Sequence, residues 1–265
     1  MHPDSEDRRL GEYRLKELLS ENELTRTWLA EQVSVSRRVL VDELRENRQA
    51  HKDAFLADVR AKAAVEHPLI GSVYEAVAEP GLCFFAHELL PGATLEERRK
   101  AAAPFKPARL AHVLLRISEA QLHHEALGQA TAPISLAHVH LDEQGVIRLE
   151  NLAVAGPRDP EQGARDIRCL GEYLPGIVGD GQPGTTRMLT LLGWMRGDGI
   201  EAPISWQQVK EFAMQIEQQL AEPAPSVAPT QSGKARRKQS QTMMLAIGGA
   251  VVALAALGLA LRGKS

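Results

Sequence analysis

The chain has only two cysteines in 265 residues, Cys83 and Cys169, and no CxxC or Cys/His ligand spacing. That argues against a disulfide scaffold and a finger-type zinc site, and it fits a reducing compartment. Charge of one sign is also missing. Lys and Arg number 31 against 34 Asp and Glu, for a formal net charge of −3. A general nucleic-acid binder is usually basic, so no nucleic-acid partner is expected. The opening Met1-His2-Pro3-Asp4-Ser5-Glu6-Asp7 has no apolar run, so no secretory leader is read there. No internal repeat occurs, and no serine sits in a G-x-S-x-G elbow, so a hydrolase nucleophile of that kind has no support.

What is present starts with hydrophobic residues at 44%, enough for a core in one large domain or two small ones. One apolar run stands out. From Met243 to Leu261 nineteen residues carry no charge, about 28 Å of helix, close to the hydrocarbon thickness of a bilayer. A buried helix of that length in a globular core would carry a polar stripe, so a transmembrane helix is predicted over 242–262, with a short tail at 263–265. Lys234, Arg236, Arg237 and Lys238 precede the run, and Arg262 and Lys264 follow it. The positive-inside bias places the N-terminal part in the cytoplasm, at the cytoplasmic (inner) membrane. The basic cluster also suits anionic headgroups. Gly249-x-x-x-Ala253 permits close helix pairing, hence a homodimer through the span. Segment 221–241 is rich in Pro, Ser and basic residues without apolar periodicity and reads as a flexible linker.

The folded part then covers about 10–220, after a disordered start at 1–9. Tyr13–Leu18, Thr27–Gln32 and Val39–Asp42 read as strands. Leu56, Val59 and Ala63 share one face of a helix over 52–65, which ends before His67-Pro68. Ser72–Ala76 and Leu82–His87 read as two more strands. Beyond Pro107 the pattern turns helical. Leu110, Val113, Leu114 and Ile117 form a stripe, with Gly128 as its stop. A hairpin follows, His138–Asp142 and Val146–Glu150, and then helices over 166–174, 185–195 and 205–220. The last opens on a Ser205-x-x-Gln208 capping box.

This order resembles the two-lobed protein kinase fold, especially bacterial serine/threonine kinases of the receptor type, over about residues 11–218. Tyr13-Arg14-Leu15 looks like the opening strand. Trp28-Leu29-Ala30 stands where the glycine-rich loop ends, and Val39-Leu40-Val41 where the third strand runs. Phe55-Leu56-x-Asp58-x-Arg60 and His67-Pro68-Leu69-Ile70 resemble the αC helix and its exit. Glu88-Leu89-x-x-Gly92-x-Thr94-Leu95 looks like the hinge. Leu141-Asp142-x-x-Gly145-x-Ile147-Arg148-Leu149 resembles the hairpin before the metal-binding motif, and Asp166-Ile167-x-x-Leu170-Gly171 the start of αF. The resemblance implies an α+β fold, with a strand-rich N-lobe (10–92) and a mostly helical C-lobe (93–220).

Position by position, the resemblance also implies lost chemistry. Phosphoryl transfer needs a glycine-rich phosphate cover, a lysine paired to a glutamate, a base and acidic metal ligands. Ser20, Asn22 and Thr25 stand at the three glycine positions, with Glu21 and Glu23 adding negative charge. Asp42 stands at the lysine and Asp58 at the αC glutamate, so two carboxylates would repel unless Arg45, Arg48 or Lys62 intervenes. Pro133 replaces the catalytic aspartate, Ser135 the usual lysine and His138 the metal-binding asparagine. Asn151 replaces the aspartate of the DFG motif, with Glu150 expected on the opposite face of its strand. No Ala-Pro-Glu motif follows.

Other candidates have simpler readings. His123-His124 and His138-x-His140 lack a third zinc ligand of fitting spacing. Glu96-Glu97-Arg98-Arg99-Lys100 reads as a solvated helix face, and Trp28, Trp194 and Trp206 as core. The expectation is a membrane-anchored pseudokinase without cofactor, metal or catalytic residue, acting as an interaction, scaffold or regulatory module for protein partners, among them an active kinase or a membrane complex. With four residues beyond the span, any signal is expected from the cytoplasm or within the membrane. The alternative is a non-standard ATP-binding kinase or transferase with relocated residues, which requires Asp42, Asp58 and Glu150 to converge.

Overall fold

The computed structural model of the chain describes residues 8–79 and 81–221. Its first half is a six-stranded antiparallel sheet crossed by one helix. The elements are β1 (Arg9–Leu10), β2 (Tyr13–Glu21), β3 (Thr25–Gln32), β4 (Arg37–Leu44), α1 (Lys52–Ala63), β5 (Val73–Glu79) and β6 (Leu82–Glu88), and the sheet order is β1-β2-β3-β4-β6-β5. Period-2 alternation decides the faces. Val39 and Val41 on β4 are fully buried against Tyr13, Leu15, Ala30, Phe84 and Ala86, while Leu40 and Asp42 project to the other side. The strands outrun their apolar cores because their ends carry cross-strand charges. Lys16 lies 3.0 Å from Glu31, and Arg26 lies 3.2 Å from Glu21.

The second half holds β7 (Ala93–Thr94), α2 (Leu95–Lys100), α3 (Pro107–Ala126), β8 (Ala130–Thr131), β9 (Val139–Leu141), β10 (Ile147–Leu149), β11 (Ala153–Val154), α4 (Gln162–Tyr173), α5 (Thr185–Arg196) and α6 (Trp206–Ala221). The α3 stripe of Leu110, Val113, Leu114 and Ile117 is fully buried. At about 1.5–3 kcal/mol per buried aliphatic side chain, it is the main apolar anchor of this half. Ser205 and Gln208 form the reciprocal cap of α6, at 2.9 Å and 3.3 Å. Thr94 and Glu97 do the same for α2. The hairpin is shorter than its pattern predicts. Asp142 Oδ1 accepts the Val146 N–H at 2.7 Å and Gly145 adopts φ +90°, so the turn closes early.

Residues 69–72 join the halves. The Leu149 N–H donates to Leu69 O at 2.7 Å, and the Gly71 N–H donates to Leu149 O at 2.8 Å. Arg148 on β10 pairs with Glu88 at the end of β6 at 2.6 Å. Gly92 lets the connecting strand pass closely, because at its φ of +88° a Cβ would stand 2.3 Å from Leu141 O. The molecule is mixed α+β, and its curled, strand-rich sheet is compatible with a kinase-like N-lobe. Among the described residues no helix is long and apolar enough to cross a membrane. The predicted span 243–261, its linker and the flanking Lys234, Arg236, Arg237, Lys238, Arg262 and Lys264 lie outside them.

Candidate functional site

Between the sheet and the β9–β10 hairpin lies a cavity of about 130 Å³. Leu40, Asp42, Phe85 and His87 face it from the sheet, Lys62 from α1, and His140, Glu150 and Asn151 from the hairpin side. Leu40 is paired with His87 and Asp42 with Phe85 in the β4–β6 ladder, so alternation alone puts these four side chains on one face.

Asp42 accepts a hydrogen bond from Thr27 Oγ1 and lies 3.3 Å from His87 Nε2. Burial pushes its carboxyl up, but His87, Thr27 and Lys62 outweigh that and hold it below the ordinary range. Lys62 shows the opposite balance. Burial lowers its ammonium, and Asp42, Asp58 and Glu150 pull it back without restoring it. The pair expected to repel is therefore rearranged. Asp58 turns away and accepts the Ala155 N–H at 2.8 Å. Lys62, one helical turn on, takes up the cleft-facing position. Of the three cations considered from sequence, only Lys62 serves. Arg45 and Arg48 donate to Asn22 O and Glu23 O, each at 2.9 Å.

Lys62 and Asn151 hold each other through their backbones. Lys62 Nζ donates to Asn151 O at 2.5 Å, and Asn151 Nδ2 donates to Lys62 O at 2.9 Å. Asn151 Nδ2 also reaches Gly71 O, at 3.3 Å, and its Oδ1 accepts the Ala153 N–H at 3.2 Å. With Asp58 on Ala155, these bonds latch α1 to the segment 151–155. The Asn151 side chain is thus committed to backbone groups. The expectation that Glu150 faces away from the cleft is corrected. β10 ends at Leu149, so strand alternation no longer governs the next residue, and Glu150 lines the cavity with Oε1 3.3 Å from His140 Nε2. Partial burial pushes its carboxyl up, while His140, His138 and His87 hold it below the ordinary range.

Asn22 Oδ1 accepts the N–H groups of Leu24 and Thr25, both at 2.8 Å, and the Asn22 N–H donates to Thr25 O. The hairpin tip is therefore an Asx-type turn in which the Asn22, Leu24 and Thr25 amides have partners. Ser20 lies on β2 opposite Thr27. Pro133 is exposed, and the adjacent Ile134 N–H donates to the buried Asp166 at 3.2 Å. Burial raises the Asp166 carboxyl, against hydrogen bonds from Gln162 and Ile134. His138 Nδ1 accepts the Ser135 N–H at 3.1 Å, closing a turn. His123 packs against His67 with ring centroids 4.7 Å apart and planes tilted by 38°. No three His, Cys, Asp or Glu side chains are grouped for a metal among the described residues. Trp28 donates to Glu43 at 3.2 Å, and Trp206 is buried.

Sequence reasoning missed His87 and His140 as cleft residues. The available sign was a polar residue two positions after Phe85 on a strand whose alternate side chains face the cleft. His140 reads the same way, flanked by the buried Val139 and Leu141.

No protein-family model matches the chain. Among curated proteins, the serine/threonine-protein kinase PrkC of Bacillus subtilis (strain 168) is 22% identical to it over 148 residues, which is 55% of this chain and 23% of that protein. The chain therefore spans less than a quarter of that relative's length. Together with the strand-rich sheet, the similarity supports a kinase-like relationship.

Proposed function

We propose that the chain is a pseudokinase: a kinase-like domain that does not transfer phosphate and acts as a protein-interaction or regulatory module, tethered to the cytoplasmic membrane through Met243–Leu261. The observation that carries this reading is the inverted cleft. A carboxylate, Asp42, stands on the sheet where a phosphate-binding cation is needed, and the one cleft-facing cation from α1, Lys62, is engaged with the Asn151 carbonyl. The cavity of about 130 Å³ is also well below the roughly 300–1,000 Å³ of sites that enclose drug-sized ligands. Two tip amides, Leu24 and Thr25, are already bonded to Asn22 rather than free for phosphate. The latch between α1 and 151–155 supports a domain that holds its arrangement without nucleotide, as an interaction surface requires.

The test is thermal unfolding of the full-length chain with millimolar ATP, with and without Mg²⁺ or Mn²⁺. A ligand that binds the native state raises the midpoint by mass action. No shift is expected. A metal-dependent rise would overturn the reading and favour the relocated-residue transferase, for which Asp42 and Glu150 line one cavity while Asp58, the third carboxylate it requires, is turned onto the Ala155 amide. The anchor is tested separately. The full chain should stay with membranes after alkaline carbonate washing, and deletion of 243–261 should release it. Release of the intact chain would remove the tether from the proposal.

A further inference from the structure

We infer that three imidazoles, His67, His123 and His124, form an acid-sensitive catch on the link between the two halves of the molecule. The inference goes beyond the pseudokinase reading and does not depend on what the cleft binds. His67 stands just before the link, and its Nδ1 accepts the Leu69 N–H at 3.2 Å. A backbone N–H can only donate, so this bond exists only while Nδ1 carries no proton. The Leu69 carbonyl in turn accepts the Leu149 N–H at 2.7 Å, and the Gly71 N–H donates to Leu149 O at 2.8 Å. A proton on His67 Nδ1 therefore removes the acceptor that fixes Leu69, the residue on which the β10 amide is held. An imidazolium has only donors and cannot replace it.

The packing around His67 favours the neutral ring. From α3, His123 lies against it with centroids 4.7 Å apart, and His124 follows 6.4 Å from His123. His123 leaves Nε2, and the 3% exposed His124 leaves Nδ1, buried without a hydrogen-bond partner. Two charged rings at these distances repel, and a buried N–H without an acceptor adds to the cost. The other charged groups do not reverse this. Glu119 on α3 attracts a charged His67, but it is shared with Arg116 at 2.7 Å and Lys210 at 3.6 Å. The neighbouring Glu66 is exposed, where solvent screens it. Lys62 on α1 opposes a charge on His124. Arg148 on β10 donates to Ile70 O at 3.4 Å, a further cation beside the link. Burial, and then His123, lower the His67 imidazole from its ordinary value. Below about 6.5, protons thus favour a form in which the rings part and hydrate. His67 is partly exposed, so a proton reaches it without unfolding of the core.

The test is hydrogen exchange, followed amide by amide in the full chain at about pH 7.5 and 5.5, with each rate corrected for the intrinsic effect of pH. Protection at Leu69, Gly71 and Leu149 should fall by up to about tenfold at the lower pH, the limit for freeing one imidazole of ordinary value. It should stay below the protection of the central strand β4, so that exchange at the link reports a local opening. In His67→Asn the side-chain oxygen can still accept the Leu69 N–H but does not titrate, and the fall at the link should vanish. Link protection that does not change with pH, that equals the protection of β4, or that still falls in His67→Asn would overturn the catch. Where that variant does not fold, the native chain decides. The His67 ring signals and the Leu69 amide should titrate together by NMR, and separate midpoints would overturn the inference.

Discussion

At the scale of single residues, Asn151 and His124 make the clearest commitments. Asn151 satisfies the Lys62 and Gly71 carbonyls and the Ala153 amide. Asn151→Ala leaves these groups with fewer partners and should cost about 1–3 kcal/mol in equilibrium denaturation, because unpaired buried polar groups lose their full solvation. An unchanged denaturation midpoint would mean that the latch carries no stability. His124 is buried on α3, and burial, aided by His123, His67 and Lys62, lowers its imidazole from 6.5 to about 4. Between those values the unfolded chain binds more protons than the folded one. Stability therefore rises with pH across that window, is fully present above about 6.5 and is lost progressively toward 4, by about 3 kcal/mol. Denaturant midpoints at pH 7, 5.5 and 4.5 should fall in the native chain and flatten in His124→Gln. The resemblance marked Asp42, Pro133 and Asn151 as departures from a kinase pattern, but it did not give their partners. Sequence placed Asp42 against Asp58, whereas one helical turn separates Asp58 from the cleft-facing Lys62, and a residue-level pattern does not fix which turn of a helix meets a strand.

At the scale of elements, periodicity read well where burial is one-sided. The α3 stripe and the β2–β3–β4 meander were both recognisable because apolar residues repeat at 3.6 and 2. Leu114→Ala in the fully buried stripe should cost about 2–5 kcal/mol. Leu19→Ala on the exposed part of β2, where Leu19 is 48% exposed, should change stability by less than about 0.5 kcal/mol. Comparable losses at the two sites would contradict the placement of the core. Removing the α6 cap with Ser205→Ala should cost about 1 kcal/mol by chemical denaturation. Elements held by long-range pairing were not legible. β8 and β11 are two-residue strands that exist only because Ala130 and Thr131 meet Val154 and Ala153. α1 was legible as a helix, but its stripe was narrower than expected. Val59 is buried and Ala63 is exposed, since the inner face of α1 carries the polar Asp58 and Lys62 instead.

At the scale of the whole molecule, the order of strands and helices supported a kinase-like relationship, and the sheet topology is compatible with it. The cavity chemistry emerged only from the fold, because Asp42, His87, His140 and Glu150 come from three separate stretches of chain. The short link at 69–72 has a thermodynamic consequence. Its amides and carbonyls are shared with β10, and Arg148 reaches back to Glu88, so neither half can melt without exposing backbone groups belonging to the other. Heat should then unfold residues 8–221 in one all-or-none step, with calorimetric and van't Hoff enthalpies in agreement. Arg148→Ala removes the ion pair but keeps the backbone bonds of the strap, so it should lower the midpoint while the calorimetric peak stays single, making the shared backbone the point at which two halves become one cooperative unit.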